Sequence, residues 1–296
     1  MVICEVVILL QLRSEGPGGV SCPESKGVSM ALGRTVGARR ARPRTRRGER
    51  IYAIGDVHGR LDLLEASLSQ IDRHSATLPP ADSVHVVLLG DLVDRGPDSA
   101  GVLRLAHEIQ SRSGLLVVLK GNHEELMVRA IDGEPGVMRT WMKVGGAETL
   151  MSYGIDPALT DADIMPATKA LAQRVPRVIV DWLRALPLTA QSGDYLFCHA
   201  GIRPGVPLAR QSREDLLWIR EEFLRDERDH GVVVVHGHSV SPEVDVRGNR
   251  IGIDTGAYRT GILTALFLDG TSSEILPVTL LNDSPLMAGQ ERVAFG

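Results

Sequence analysis

The sequence predicts a layered α/β domain, and three observations carry that prediction. Three short runs rich in aliphatic and β-branched residues, Ile51–Ile54, Val84–Leu89 and Leu115–Leu119, each lead into a glycine followed by oxygen or imidazole donors. Each loop is followed by apolar residues at helical spacing, which alternates strand with helix. Further strand-like runs cluster in the last third of the chain, so a second sheet is expected to pack on the first in a four-layer α/β/β/α sandwich. With 296 residues, 43% of them hydrophobic, and 31 glycines, the chain can bury one core of that size.

The head, residues 1–49, does not join this pattern. Residues 2–12 are apolar but too short to span a bilayer, and no basic residue precedes them as a secretory signal requires. Met30 offers an alternative start. Arg34 to Arg50 holds eight arginines with little to bury, so the head is expected to be disordered and dispensable for folding. Residues 1–50 carry ten basic against four acidic side chains, which leaves the body acidic by ten charges. That balance argues against a nucleic-acid-binding face on the folded domain, and no membrane partner is expected. Cys4, Cys22 and Cys198 form no disulfide framework, so the expected compartment is the cytoplasm.

From Ile51 the domain runs to about residue 281. Leu61, Leu64, Leu68 and Ile71 stripe the first helix; Val102, Leu105, Ala106 and Ile109 the second; Leu126, Met127, Ala130 and Ile131 the third. Residues 132–194 break the rhythm and are expected to form a helical insertion, with helices over 138–150, interrupted by Gly145-Gly146, and over 177–186, stopped by Pro187. Trp141, Tyr153 and Trp182 either pack its core or face a substrate. Strands return at Tyr195–Cys198 and Val232–Val235, and again at 250–253, 261–268 and 273–280, the last three assigned to the second sheet. Residues 282–296 carry no pattern and read as a tail.

The loops carry the chemistry. Gly90-Asp91-Leu92-Val93-Asp94-Arg95-Gly96 follows its strand without a spacer and presents Asp91 at the strand tip, where ligands of open α/β sheets collect. Aspartate, histidine and asparagine at such tips suit a divalent manganese, iron or zinc ion, whereas structural zinc would call for thiolates. Two such ions form the general device for phosphoester displacement, and a carboxylate between them must bridge.

Five blocks, Gly55-Asp56-Val57-His58-Gly59, Gly90 to Gly96, Gly121-Asn122-His123-Glu124, His199-Ala200-Gly201 and Gly237-His238, occur in the order seen in the phosphoprotein phosphatase family of metallophosphoesterases, which the chain resembles, its small bacterial members above all. The resemblance implies a metallophosphoesterase sandwich and two divalent ions, manganese first, with iron or zinc as alternatives. Asp56, His58 and Asp91 would hold one ion; Asp91, Asn122, His199 and His238 would hold the other. A hydroxide bridging the ions would attack phosphorus in line. His123 would be the general acid, oriented by Asp94, while Arg95, Asn122 and Arg220 would bind phosphate. His236 is expected to be structural, and Asp254 either supports the metal loops or closes a turn. Glu124 either orients a neighbour or caps its helix.

The implied activity is a serine/threonine protein phosphatase acting on phosphoproteins or small phosphoesters. The alternatives are a dinucleoside polyphosphate hydrolase and a broad phosphatase that includes phosphotyrosine. Dinucleoside tetraphosphate hydrolases of this kind usually lack an acid at the position of Asp94 and carry Asp where this chain has Glu124. The sequence carries no signature of an oligomeric state.

Overall fold

The computed structural model describes residues 42–160 and 163–280. Two five-stranded sheets form its centre. In the first, strands β1 (Glu49–Ile54), β2 (Ser83–Leu88) and β3 (Leu116–Val118) run parallel, each linked to the next by a helix, α1 (Leu61–Ala76) or α2 (Ser99–Arg112). The second is built on β5 (Tyr195–Cys198), β6 (Val233–His236) and β8 (Arg250–Gly252), also parallel, edged by β4 (Thr189–Ser192) and β7 (Asp245–Val246).

Alternation along the strands sets the layers. Ile51 and Ala53 of β1 point between the sheets and meet Tyr195, Phe197, Val233 and Val235. Tyr52 and Ile54 point the other way, into a core with Leu64, Leu68, Val102 and Ile109 of the helices. Leu196 and Cys198 face a third cluster on the far side of the second sheet, closed by α8 (Arg213–Trp218) and the single turn α9 (Glu221–Leu224) through Leu216 and Phe223. Helix, sheet, sheet and helix therefore stack as expected.

Two strands belong elsewhere than the sequence suggests. β9 (Ile262–Asp269) pairs antiparallel with β1, and β10 (Ser272–Thr279) pairs with β9, so both complete the first sheet instead of the second. Strand order is set by which edge is open and which face is apolar, not by proximity in sequence. β1 has its second edge free, and Leu266 and Leu268 of β9 complete the same inter-sheet core as Ile51 and Ala53.

The insertion follows α3 (Asn122–Ile131). It consists of α4 (Val137–Trp141), a π turn (Met142–Gly146), α5 (Ala147–Ser152), a 3-10 turn (Pro157–Thr160), α6 (Met165–Arg174) and α7 (Arg177–Ala185). Gly145, at φ 115°, makes the break anticipated at the glycine pair. The expected helical stretch nevertheless ends early, because residues 189–192 form strand β4 at the edge of the second sheet.

The head needs a similar correction. Residues 1–41 and 281–296 lie outside the described residues, but Pro43 to Gly48 pack against both sheets. The Arg44 amide donates to Asp194 at 3.0 Å and the Arg46 amide to Ser192 Oγ at 3.0 Å. Thr45 is buried and exchanges hydrogen bonds with Gly270 in the β9–β10 turn. A protein lacking residues 1–48 is therefore expected to unfold at clearly lower urea than one beginning at residue 42, by about 2 to 4 kcal/mol for the hydrogen bonds lost. Coincident urea transitions would contradict this.

Candidate active site

The carboxyl ends of β1, β2, β3, β5 and β6 meet along one edge, where the five loops converge. Among the described residues, five that are not glycine have positive φ: His58 at 44°, Asp91 at 49°, Asp94 at 74°, Arg95 at 67° and His238 at 62°. Such backbone costs on the order of 1 to 3 kcal/mol per residue and concentrates at functional sites. All five are residues singled out in the sequence.

Glu124 holds the central loop in place. Its buried carboxylate accepts the amides of Asp91 at 2.9 Å, Leu92 at 2.7 Å and Val93 at 3.3 Å, and that of Gly121 at 2.8 Å. It thus orients a neighbouring loop and caps its own helix at once. Gly121 is required here, since a Cβ on it would lie 2.2 Å from Asp91 Oδ1. The Asp91 carboxylate is set further by the His123 amide, which donates to Oδ1 at 3.0 Å.

Three imidazoles surround that carboxylate. Asp91 Oδ2 lies 3.7 Å from His58 Nε2 and 3.7 Å from His123 Nε2, and Oδ1 lies 3.4 Å from His199 Nε2. His58 donates from Nδ1 to the Val93 carbonyl at 2.8 Å, and His199 from Nδ1 to the Leu89 carbonyl at 3.0 Å. These bonds fix the tautomers and leave both Nε2 atoms as bare lone pairs. The His199 lone pair also meets Asn122 Oδ1 at 2.8 Å and His238 Nδ1 at 3.2 Å. Electron-rich atoms gathered this closely suit a cation. Two sets of donors lie within metal-binding range, His58, Asp91 and His123, and Asp91, His199 and His238, with Asp91 common to both.

Burial drives His58 down to about 3 and His238 down to about 2, which keeps both neutral, as metal ligation requires. Burial acts to raise the Asp91 carboxyl, but the pull of a proton on any of the imidazoles around it, His199 foremost, is the larger effect, and the carboxyl lies well below the usual range. Asp56 behaves oppositely: burial, then the charges of Asp254 and Asp91, push it well above. Asp56 stands outside both donor sets, and both its oxygens accept the His238 amide, at 3.2 and 3.0 Å.

His123 is paired with a buried carboxylate. Its Nδ1 lies 2.5 Å from Asp94 Oδ2, which also accepts Trp141 Nε1 at 2.7 Å, while Asp94 Oδ1 accepts the Thr149 hydroxyl at 2.6 Å. Burial alone would lower the imidazole, yet the Asp91 and Asp94 carboxylates hold it above its ordinary value. Arg95 donates to His58 Nε2 at 2.7 Å and to His123 Nε2 at 3.0 Å, with its guanidinium 4.9 Å from the Tyr258 ring. Arg220 stands apart, exposed at the start of α9, and reaches the site through its charge, which helps depress His238.

Trp141 and Thr149 hold Asp94 from the insertion, and Tyr258 packs on Arg95 and His58 from the one-turn helix Ala257–Thr260 that follows β8. Spacing alone could not identify these three, because each acts through a tertiary contact. Trp182 instead donates to Gln110 at 3.0 Å on α2, and Tyr153 packs against the helical core. His236 is structural: buried, it donates from Nδ1 to the Gly237 carbonyl at 3.0 Å, and burial pushes it down to about 4.

The calcineurin-like phosphoesterase family model matches residues 49–263. Serine/threonine-protein phosphatase 2 of Escherichia coli K12 is 27% identical over 224 residues, 72% of this chain and 90% of that protein. An asymmetrical bis(5'-nucleosyl)-tetraphosphatase of Oceanobacillus iheyensis is 26% identical over 235 residues, 73% of this chain and 87% of its own. The fold matches a protein serine/threonine phosphatase structure from Saccharomyces cerevisiae with a TM-score of 0.51 at 15% identity, over 95% of this chain and 89% of that one.

Two outcomes test the site. Glu124→Gln places an amide N–H against amide donors and is expected to destabilise the protein by about 2 to 4 kcal/mol in urea unfolding; an unchanged midpoint would remove Glu124 from the account. His236 is neutral in the fold but takes a proton near 6.5 when unfolded, so the stability it contributes is present above 6.5 and falls as pH drops towards 4. His236→Gln lacks that loss. The stability gap between wild type and variant should therefore move by about 2 kcal/mol in the variant's favour between pH 7.5 and 5; a constant gap would contradict it.

Proposed function

The chain belongs to the calcineurin-like phosphoesterases, and from that premise we propose a metal-dependent phosphomonoesterase that acts on serine and threonine phosphate in proteins. The Asp94–His123 pair at 2.5 Å carries the proposal. An alkoxide leaving from a serine or threonine side chain needs a proton, and a buried imidazole backed by a carboxylate supplies one.

Two divalent cations, manganese first with iron or zinc as alternatives, fit the converging lone pairs; when bound, they lower the pKa of coordinated water and neutralise phosphoryl charge. Asp56, His58 and Asp91 would hold one, and Asp91, Asn122, His199 and His238 the other. The chain's own residues do the rest. Arg95 and a proton on His123 Nε2 are mutually exclusive partners, because both are donors. When Arg95 turns to phosphoryl oxygens, which a planar guanidinium matches bidentately, His123 Nε2 becomes free to carry the proton. Asp94 then stabilises the imidazolium until the proton reaches the leaving oxygen. Asn122 and Arg220 would contribute further phosphate contacts, Arg220 from the rim. A thiolate nucleophile is not available from Cys198, whose burial pushes it up to about 12.

Dinucleoside polyphosphate hydrolysis is the second reading, favoured by the long match to the tetraphosphatase of Oceanobacillus iheyensis. Asp94 weighs against it, since a pyrophosphate leaving group needs less protonation than an alkoxide. With manganese, the purified protein is expected to release phosphate from phosphoserine and phosphothreonine peptides faster than it cleaves diadenosine tetraphosphate; the reverse order would assign it to nucleotides. His123→Asn is expected to slow phosphoserine peptides by about 10²- to 10⁴-fold and p-nitrophenyl phosphate far less. Equal losses on both would rule out the acid role.

A further inference from the structure

Three chain segments converge beside Asp56. Gly55, at the end of β1, approaches the loop after β8 so closely that a Cβ on it would lie 2.6 Å from the Ile253 carbonyl oxygen. The Ile253 amide donates to the His236 carbonyl at 2.9 Å. The next residue of each segment is Asp56, Asp254 and Gly237, and a Cβ on Gly237 would lie 2.0 Å from Asp56 Oδ1. Asp56 and Asp254 are thus brought into one buried corner by backbone contact.

Asp254 is 3% exposed, and its two oxygens have different situations. Oδ1 accepts the Gly256 amide at 2.9 Å and closes the turn that follows β8. Oδ2 is buried with no hydrogen-bond partner. Asp254 is the foremost charge acting on Asp56, and Asp91 and Arg95, both members of the site, act on Asp254 in turn. A turn needs one acceptor, which asparagine or serine provides equally. The second oxygen adds a buried charge with no hydrogen-bond partner beside two other carboxylates, which is unfavourable unless a cation answers it.

We propose that Asp254 is a positioning residue of the metal centre, its free Oδ2 lending negative charge to the cation that Asp56 and His58 would hold. This role presupposes the two-ion centre proposed above. Supporting carboxylates behind a metal ligand typically account for about 10- to 100-fold in affinity.

The full chain, stripped with chelator and titrated calorimetrically with Mn²⁺, tests the role alongside the thermal midpoint of the metal-free protein. Asp254→Asn keeps the turn acceptor, so it is expected to weaken one of the two Mn²⁺ sites by about 10- to 100-fold and leave the other near wild type. The metal-free midpoint should stay level or rise, because a buried charge facing other carboxylates has been removed. A residue that only closed a turn would leave both Mn²⁺ affinities intact in this variant, whatever the midpoint does, and that result would overturn the proposal. Asp254→Ser, which also retains an acceptor for Gly256, provides the same comparison if the asparagine variant fails to fold. If wild type itself binds fewer than two Mn²⁺ ions, the two-ion centre is overturned, and the role of Asp254 with it.

Discussion

The site depends on one buried carboxylate accepting four backbone amides. Glu124 gathers the N–H groups of Asp91, Leu92, Val93 and Gly121, and so fastens the loop after β2 to the start of α3. Hydrogen bonds to a charged acceptor contribute about 1.5 to 3 kcal/mol each. Positive φ at Asp91, Asp94 and Arg95 costs a sum of the same order. The strained loop is held because its amides have no better partner, and Asp91 is left with its side chain in the middle of three imidazoles.

That arrangement explains why so many acceptors tolerate one another. His58 and His199 have their Nδ1 protons committed to backbone carbonyls, so neither can rotate its N–H towards Asp91. Burial keeps His58 and His238 neutral, while Asp91 stays ionised among them. A pocket of lone pairs around a fixed carboxylate is poorly satisfied by protein groups alone, and Arg95 answers part of it by donating to His58 and His123. Under the proposed function the same guanidinium would meet a phosphoryl oxygen, and proton donor and phosphate binder would be linked through one side chain.

Much of this was legible in the sequence, because the residues of the candidate site lie in loops anchored to local strand and helix signals. Asp91 follows the β2 run directly, and Asn122 and His123 open a helix whose stripe is plain. What the sequence could not carry was tertiary pairing. The edge of β1 on which β9 docks is decided by facing apolar surfaces, and that misplaced two strands. Trp141 and Thr149 reach Asp94 across 47 and 55 residues with no motif to join them. Pro43 to Gly48 looked like arginine-rich filler, yet their backbone, not their charge, ties both sheets together.

The central claim is that Asp91 is shared by two cations. Counting the Mn²⁺ retained per chain after equilibrium dialysis, for wild type and for Asp91→Asn at matched folding, tests it most directly. Wild type should hold two ions, and the variant should lose both at the same free concentration, since each set of ligands is missing its common member. An Asp91→Asn protein that still bound two ions with wild-type affinity would contradict the account.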